Sequence, residues 1–349
     1  MLFSENTLGK DFTVFDEKTY EKLGAFSLGD GILPDDICGS PDGSTIYVNG
    51  AHMPTALTGA GGKASRAKLL AEYDGKPQPG EDEKNSSVHL MASDRSVFAA
   101  FDARTFKELW RVDINGHVGH LVISPDGRYV FNALFDKFFV ARVDTATREI
   151  EYIPVPFYGG HGMNISPDGE SLYVGSIAMA ELAVVDTKTS SVRQRVFFRD
   201  NVRPFAVTRD GKLAYVQNSF FHGFHVVDMV ANRILRSIAL PALPPGTPVI
   251  EAFPHTVDHG MLLTPDETRL LALATTGNHV AIYSHPQLDH LGSVQLGTEP
   301  SWIIGDAKGE FAYCSNRVSD DISVVSIAEM REVHRFHAGH YPQRMWLIE

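Results

Sequence analysis

The chain of 349 residues contains only two cysteines, Cys38 and Cys314, which excludes a small domain held together by disulfides. It has no apolar run near the roughly 18 residues of a membrane-spanning helix, so no membrane partner is expected. It also lacks a basic surplus: 43 acidic against 31 basic residues give a net charge of −12. Nucleic acid, whose phosphates attract basic faces, is therefore not an expected partner. Met1–Gly9 has no basic segment followed by an apolar one, which predicts a cytoplasmic protein, or a periplasmic one if a leader has been removed.

What the sequence does contain is a repeat. An apolar run, a Ser/Thr-Pro-Asp-Gly turn and a second apolar run recur, and the interval from Asp126 to Asp168 to Asp210 is 42 residues each time. A second polar turn, Asp-x-x-Thr, follows in most units. Pro, Asp and Gly favour tight turns between strands. Each unit is therefore predicted to form four short antiparallel strands, A to D, as in the blade of a β-propeller. The copies of the first turn begin at Ser40, Ser124, Ser166, Thr208, Thr264 and, much altered, Gly305.

The two ends of the chain complete the count of blades. The sequence ends with a strand of type A, Arg344–Ile348, that has no successor. It begins with three apolar segments, Met1–Phe3, Phe12–Asp16 and Lys22–Phe26, that match strands B, C and D. The prediction is an all-β, single-domain, seven-bladed propeller over residues 1–349, closed by the C-terminal strand pairing with the N-terminal strands. The alternative is a pair of stacked domains.

One interval is too long for a single blade. Asp42 and Asp126 are 84 residues apart, but only one Asp-x-x-Thr turn, at Asp102, lies between them. The surplus is an insertion at residues 51–95, after strand B of the first full blade. Loops after strand B emerge at the same end of the propeller as the loops before strand A, where the candidate site described below lies. We therefore expect the insertion to act as a lid or as a contact for a protein partner.

The turn followed by Tyr47-Val48-Asn49, Tyr173-Val174-Gly175 or Tyr215-Val216-Gln217-Asn218 resembles the YVTN-type repeat. That family lies near the quinoprotein amine dehydrogenase β-chain and the lactonase-type seven-bladed propellers. The resemblance covers nearly the whole chain and implies the fold. It does not select a function, because such propellers include lactonases, lyases, oxidoreductase domains and binding modules.

The fifteen histidines acquire a location from this repeat. Eleven of them, including His222, His279 and His337, are assigned to the D–A and B–C loops, which share one end of a propeller. Strand A lines the central channel, so residues directly before it should surround the channel mouth. Trp302 and Trp346 fall on A strands and are expected in the core. In the sixth blade the alignment places Pro300 and Ser301 at the mouth. The other residues predicted there include Asp36, His120, His161, Arg203, His259 and Arg344.

Three hypotheses for this mouth differ in chemistry. The favoured one is an enzyme, an oxidoreductase or lyase acting on a small and perhaps anionic organic substrate, with a transition metal (Cu, Fe, Zn or Ni) bound by histidine imidazoles. The metal ligands would be His52, His120, His161 and His259, and the catalytic set His161, His259, Arg203, Arg344 and Asp36. The second is a metal-free lactonase or lyase with histidine as acid or base and arginine as anion clamp. The third is a non-catalytic propeller that binds a partner subunit or a cofactor. The histidines would have no such role if they only hydrogen-bond loop backbone.

Overall fold

The computed structural model describes residues 1–52, 95–243, 245–247 and 256–349, and in these ranges every regular element is a strand. The first four blades in chain order follow. The closing blade begins with β1 (Leu2–Asn6), β2 (Asp11–Phe15) and β3 (Lys22–Phe26). The next comprises β4 (Ile32–Gly39), β5 (Thr45–His52), β6 (Arg95–Asp102) and β7 (Glu108–Asn115). Then come β8 (Val118–Ile123), β9 (Tyr129–Leu134), β10 (Phe139–Asp144) and β11 (Ile150–Pro154). The fourth consists of β12 (Gly160–Ile165), β13 (Ser171–Ser176), β14 (Glu181–Asp186) and β15 (Ser191–Phe197).

Three more blades and the last strand complete the molecule. One comprises β16 (Val202–Val207), β17 (Leu213–Asn218), β18 (Phe221–Asp228) and β19 (Arg233–Ala239). Another has β20 (Met261–Leu263), β21 (Arg269–Ala274), β22 (His279–Ser284) and β23 (His290–Gln295). The last full one has β24 (Pro300–Gly305), β25 (Phe311–Asn316), β26 (Asp321–Ser326) and β27 (Arg331–His337). The final strand, β28 (Pro342–Leu347), joins β1 in the order β28-β1-β2-β3.

The seven four-stranded antiparallel sheets form a ring. The inner strands β4, β8, β12, β16, β20, β24 and β28 each contact the next, and β28 contacts β4. The chain ends meet as predicted, because Leu2 pairs with Leu347 and Phe3 with Trp346. The predicted fold and its closure are thus confirmed.

The turns between inner and second strands have one local design. In the third copy of the turn, Asp168 accepts hydrogen bonds from the Ser166 hydroxyl and the Glu170 backbone N–H. Gly169 has a φ of +73°, which glycine adopts without the steric cost that other residues have. The sequence therefore encodes each hairpin within six residues.

The core lies between neighbouring blades. One cluster joins the closing blade to the first full one and includes Phe3, Phe12, Phe26, Ile46 and Phe101. Each of these side chains is at most 9% exposed. Burial of a large apolar side chain contributes roughly 1.5–3 kcal/mol, so the contacts between sheets stabilise the ring.

The insertion predicted at residues 51–95 lies, apart from its ends on β5 and β6, outside the described residues. In the part of the chain that the structure describes, no helix is long and apolar enough to cross a membrane.

Candidate functional site

The inner strands share an irregularity at the end where they enter the ring. Between the pairs Val118–Leu134 and Leu121–Asn132, β8 has one residue more than β9. The same one-residue β-bulge occurs in β4, β12, β16, β24 and β28. A bulge turns side chains out of the regular alternation of a strand. The predicted site residues lie on or beside these bulges, inside the strands rather than in the loops before them. They are Asp36, His120, His161, Arg203 and Arg344; His259 lies two residues before β20.

Polar side chains of the second strands support the bulged backbone. The Asn49 side chain accepts from the Asp36 N–H (2.9 Å) and donates to the Gly119 carbonyl (2.9 Å) of the next blade. Gln217 accepts from the Gly260 N–H (2.7 Å), and Glu5 from the Arg344 N–H (3.3 Å). Buried backbone groups need such partners where the sheet ladder is interrupted. Glu5, which is fully buried, was not among the predicted site residues.

His120 lies in the middle of the mouth. Its Nε2 is 2.6 Å from Nη2 of Arg344, and its Nδ1 is 3.6 Å from Oδ2 of Asp36. Its ring centroid is 4.2 Å from that of His161. All three partners come from different blades, so the ring brings together residues that are far apart in sequence.

The imidazole of His259 is fixed by a hydrogen bond to the backbone of the next blade. Its Nδ1 lies 2.7 Å from the Ser301 carbonyl and must donate to it, because a carbonyl only accepts. This leaves Nε2 with a lone pair when the ring is neutral. The ring lies 6.1 Å from that of His161.

Trp302 packs against a cluster of buried side chains, as expected, and it also belongs to the site. Cζ of Arg344 is 4.2 Å from the centroid of its ring, and the rings of His120 and His259 are 4.9 and 6.2 Å away. The alignment that placed Pro300 and Ser301 at the mouth was wrong by one residue, because it allowed one extra residue in the altered sixth turn. Six residues separate the paired Gly305 and Ala312, as they separate Ile165 and Leu172 in the third copy. Trp346 does pack in the core, against two clusters of buried side chains.

Arg203 occupies the equivalent bulge of β16, and its Nε donates to the Ser219 hydroxyl at 2.7 Å. Arg203 and Arg344 are only 4% and 3% exposed, and both lower the pKa of His120 and His259. The mouth therefore has two buried cations close to its imidazoles.

Burial is the largest influence on the pKa values of His120, His259 and Asp36. It lowers the pKa of His120 and His259 well below the ordinary histidine value, and Arg344 lowers both further. Both imidazoles are therefore neutral near neutral pH. Burial also raises the pKa of Asp36 to about 7, and raises those of Asp35 and Glu5. Arg344 remains cationic, since arginine does not deprotonate in proteins.

The Arg344 side chain stands out because two of its atoms are buried without a hydrogen-bond partner among the described residues. They belong to the Arg344 guanidinium, namely Nε and Nη1. The Nε2 amide of neighbouring Gln343 is in the same state. Buried donors in proteins are nearly always bonded, so these groups point to a ligand.

The predicted metal ligands are placed as follows. His52 is the last residue of β5, opposite Ile32 on a second strand, whereas His120, His161 and His259 lie in or beside inner strands. Within the described ranges, no group of three or more His, Cys, Asp or Glu side chains is arranged to hold a metal ion. Nε2 of His120 is engaged by Arg344 and would have to leave it to bind a metal. Metal binding stays a prediction.

Some other histidines lie in strands rather than in loops. His222 is in β18, His279 begins β22 and His337 ends β27. The loop assignment was wrong for these by one or two residues at strand ends.

Comparisons with known proteins support the fold and give no family. No family model matches the chain, and no curated protein matches it. Among solved structures, the chain is similar to Kuenenia stuttgartiensis hydrazine synthase, with a TM-score of 0.66 and 18% identity. The match covers 93% of this chain and 91% of that one. At this identity the likeness shows the propeller fold alone.

Proposed function

We propose that this propeller is an enzyme that binds a small organic anion at the mouth of its channel and acts on it by acid–base chemistry. The observation that carries the proposal is the buried Arg344 guanidinium, whose Nε and Nη1 have no hydrogen-bond partner among the described residues. Leaving N–H groups of a buried cation unbonded is costly. A carboxylate can accept from Nε–H or Nη1–H together with the N–H of Nη2 that His120 does not take.

The nearby carboxyls do not remove the need for an anion. Glu5 accepts from the backbone N–H of Arg344, and Asp36 faces His120. Neither carboxyl bonds Nε or Nη1 of Arg344, and burial raises the pKa of both carboxyls. Arg203 adds a second buried cation.

His259 is the candidate acid–base group. The Ser301 carbonyl fixes its Nδ1–H, so that Nε2 carries the lone pair that takes up a proton. Its lowered pKa keeps it neutral before the reaction. A neutral base beside an anion clamp suits a lyase or a lactone or ester hydrolase, which was the metal-free alternative. Membership of the YVTN-type family and a cytoplasmic location belong to the same proposal.

The test combines binding with turnover. We expect titration calorimetry to detect acetate or propionate binding to the purified protein, and Arg344→Gln to weaken it at least tenfold. Arg195→Gln is the matched control, because Arg195 pairs with Glu181 on an outer strand, away from the mouth. A panel of small lactones, esters and hydroxy acids then measures turnover, which His259→Gln should abolish.

The outcomes separate the hypotheses. Anion binding that survives Arg344→Gln contradicts the proposal. Anion binding without turnover of any panel member favours a binding protein. Elemental analysis of the same sample tests the metal hypothesis, since a stoichiometric transition metal lost in a His161→Ala/His259→Ala variant would support it.

A further inference from the structure

The protonation of His120 follows from its partners. A guanidinium has donors and no acceptor, so Arg344 Nη2 donates the 2.6 Å hydrogen bond to His120 Nε2. Nε2 therefore carries no proton, and the neutral ring has its proton on Nδ1. That nitrogen faces Oδ2 of Asp36 at 3.6 Å, an acceptor when the carboxyl is ionised.

Asp36 is itself held by the backbone of two blades. Its Oδ1 accepts from the Ile37 N–H at 2.7 Å, and its Oδ2 from the Leu121 N–H at 2.9 Å. Ile37 lies in β4 and Leu121 in β8, one residue beyond His120. The carboxylate therefore has a fixed orientation, and a fixed distance from the imidazole.

The guanidinium of Arg344 is held on two sides. His120 accepts from Nη2, and the indole of Trp302 lies against the guanidinium with Cζ 4.2 Å from its centroid. Only Nε and Nη1 are left without a partner among the residues described. The head group has little freedom, so its remaining N–H groups keep fixed directions.

We propose that Asp36 and His120 are positioning residues, which orient the Arg344 guanidinium so that its remaining N–H groups are ready to bind a planar oxyanion. This inference rests on the proposed anion-binding function. Asp36 lies beside Nδ1 of His120 and favours a proton there electrostatically, and His120 presents an acceptor to the guanidinium. A site ordered in advance loses less entropy when the anion binds.

Asp36→Asn provides a sharp test because an amide replaces one acceptor oxygen by a donor. If the amide nitrogen faces His120, the imidazole must move its proton to Nε2, where it opposes the N–H of Arg344. If the amide nitrogen faces Ile37 or Leu121 instead, it opposes a backbone N–H. We expect acetate to bind about tenfold more weakly, which is the loss of one hydrogen bond to a charged group.

Two further variants separate positioning from packing. His120→Gln keeps a donor and an acceptor, and should bind acetate within about threefold of wild type, whereas His120→Leu keeps neither and should weaken binding at least as much as Asp36→Asn. Asp144→Asn is the matched control: Asp144 also accepts from two backbone N–H groups, of Ala146 and Thr147, but in a turn at the other end. Its acetate affinity should be unchanged.

Nitrogen NMR of the imidazole gives a readout that a merely structural role would not move. The wild-type spectrum should show His120 protonated on Nδ1, and Asp36→Asn should shift the proton towards Nε2. Wild type with the proton on Nε2 would overturn the inference without any variant. So would acetate affinities of Asp36→Asn and His120→Gln or Leu that all equal the wild-type value while Arg344→Gln still loses binding; the proposed function would then stand. If wild type binds no carboxylate, the proposed function itself fails.

Discussion

Alanine at Gly127 and alanine at Gly309 should differ in cost although both positions have the same backbone. Each glycine ends a turn between an inner and a second strand, with φ of +74° and +69°. We expect Gly127→Ala to lower the free energy of unfolding by about 2–3 kcal/mol, and Gly309→Ala by about 1 kcal/mol.

The magnitudes follow from the local geometry. A left-handed conformation costs a non-glycine residue roughly 1–2 kcal/mol, and the smaller freedom of alanine in the unfolded chain returns about 0.4–1 kcal/mol. The difference, a net conformational cost of about 1 kcal/mol, applies to alanine at both positions. A Cβ at Gly127 would also lie 2.9 Å from Pro41 Cδ of the neighbouring blade, whereas at Gly309 the nearest atom, Pro265 Cδ, is 3.4 Å away. Relief of the closer contact adds about 1–2 kcal/mol.

Urea unfolding followed by tryptophan fluorescence measures both costs, compared through the midpoints at a shared slope. The difference between the two variants isolates the contact with Pro41, and Gly127→Ala/Pro41→Ala should recover most of it. Equal losses in the two alanine variants would refute the argument that neighbouring blades press on these turns. Neutral substitutions at both sites would refute the conformational part.

Two further predictions concern the site and the turns. Trp302→Leu should weaken acetate binding, measured by calorimetry, by up to about 30-fold, because a desolvated cation–π contact contributes about 2 kcal/mol. Trp346→Leu should lower the urea midpoint and leave the acetate affinity unchanged. Hydrogen bonds lower the pKa of Asp42 and Asp210 to about 2, so their contribution to stability is present above the unfolded value near 4 and is lost as the pH falls towards 2. The urea midpoint of the Asp42→Asn/Asp210→Asn variant should therefore fall less between pH 4 and pH 2 than that of wild type. An equal fall of the midpoint in the two proteins would contradict this assignment.

The fold was predictable because its determinants are local. The turn residues of each hairpin, such as Ser124 to Gly127, hydrogen-bond one another within a few positions, so their recurrence reveals the repeat. Closure followed from counting strands, because the last strand has no successor and the first three have no inner strand. The pairing of Phe3 with Trp346 confirms it.

The site was predictable only to the accuracy of the strand alignment. His120, His161 and His259 meet as expected, since inner strands of different blades converge on one channel. Trp302 was missed because the sixth turn, which has lost most of its signature residues, was aligned with one residue too many. Glu5 was missed because it supports the site from a second strand, where no turn marks its position.

The bulges have a consequence for how such a ring changes its chemistry. In six of the seven inner strands the extra residue lies outside the regular ladder, and second-strand side chains such as Asn49 and Glu5 bond the backbone there. A side chain at such a position can be replaced without altering the pairing of its blade. The six bulge positions can therefore carry different side chains on an unchanged ring. Two propellers can thus keep the same architecture at 18% identity without having to share the residues at their channel mouths.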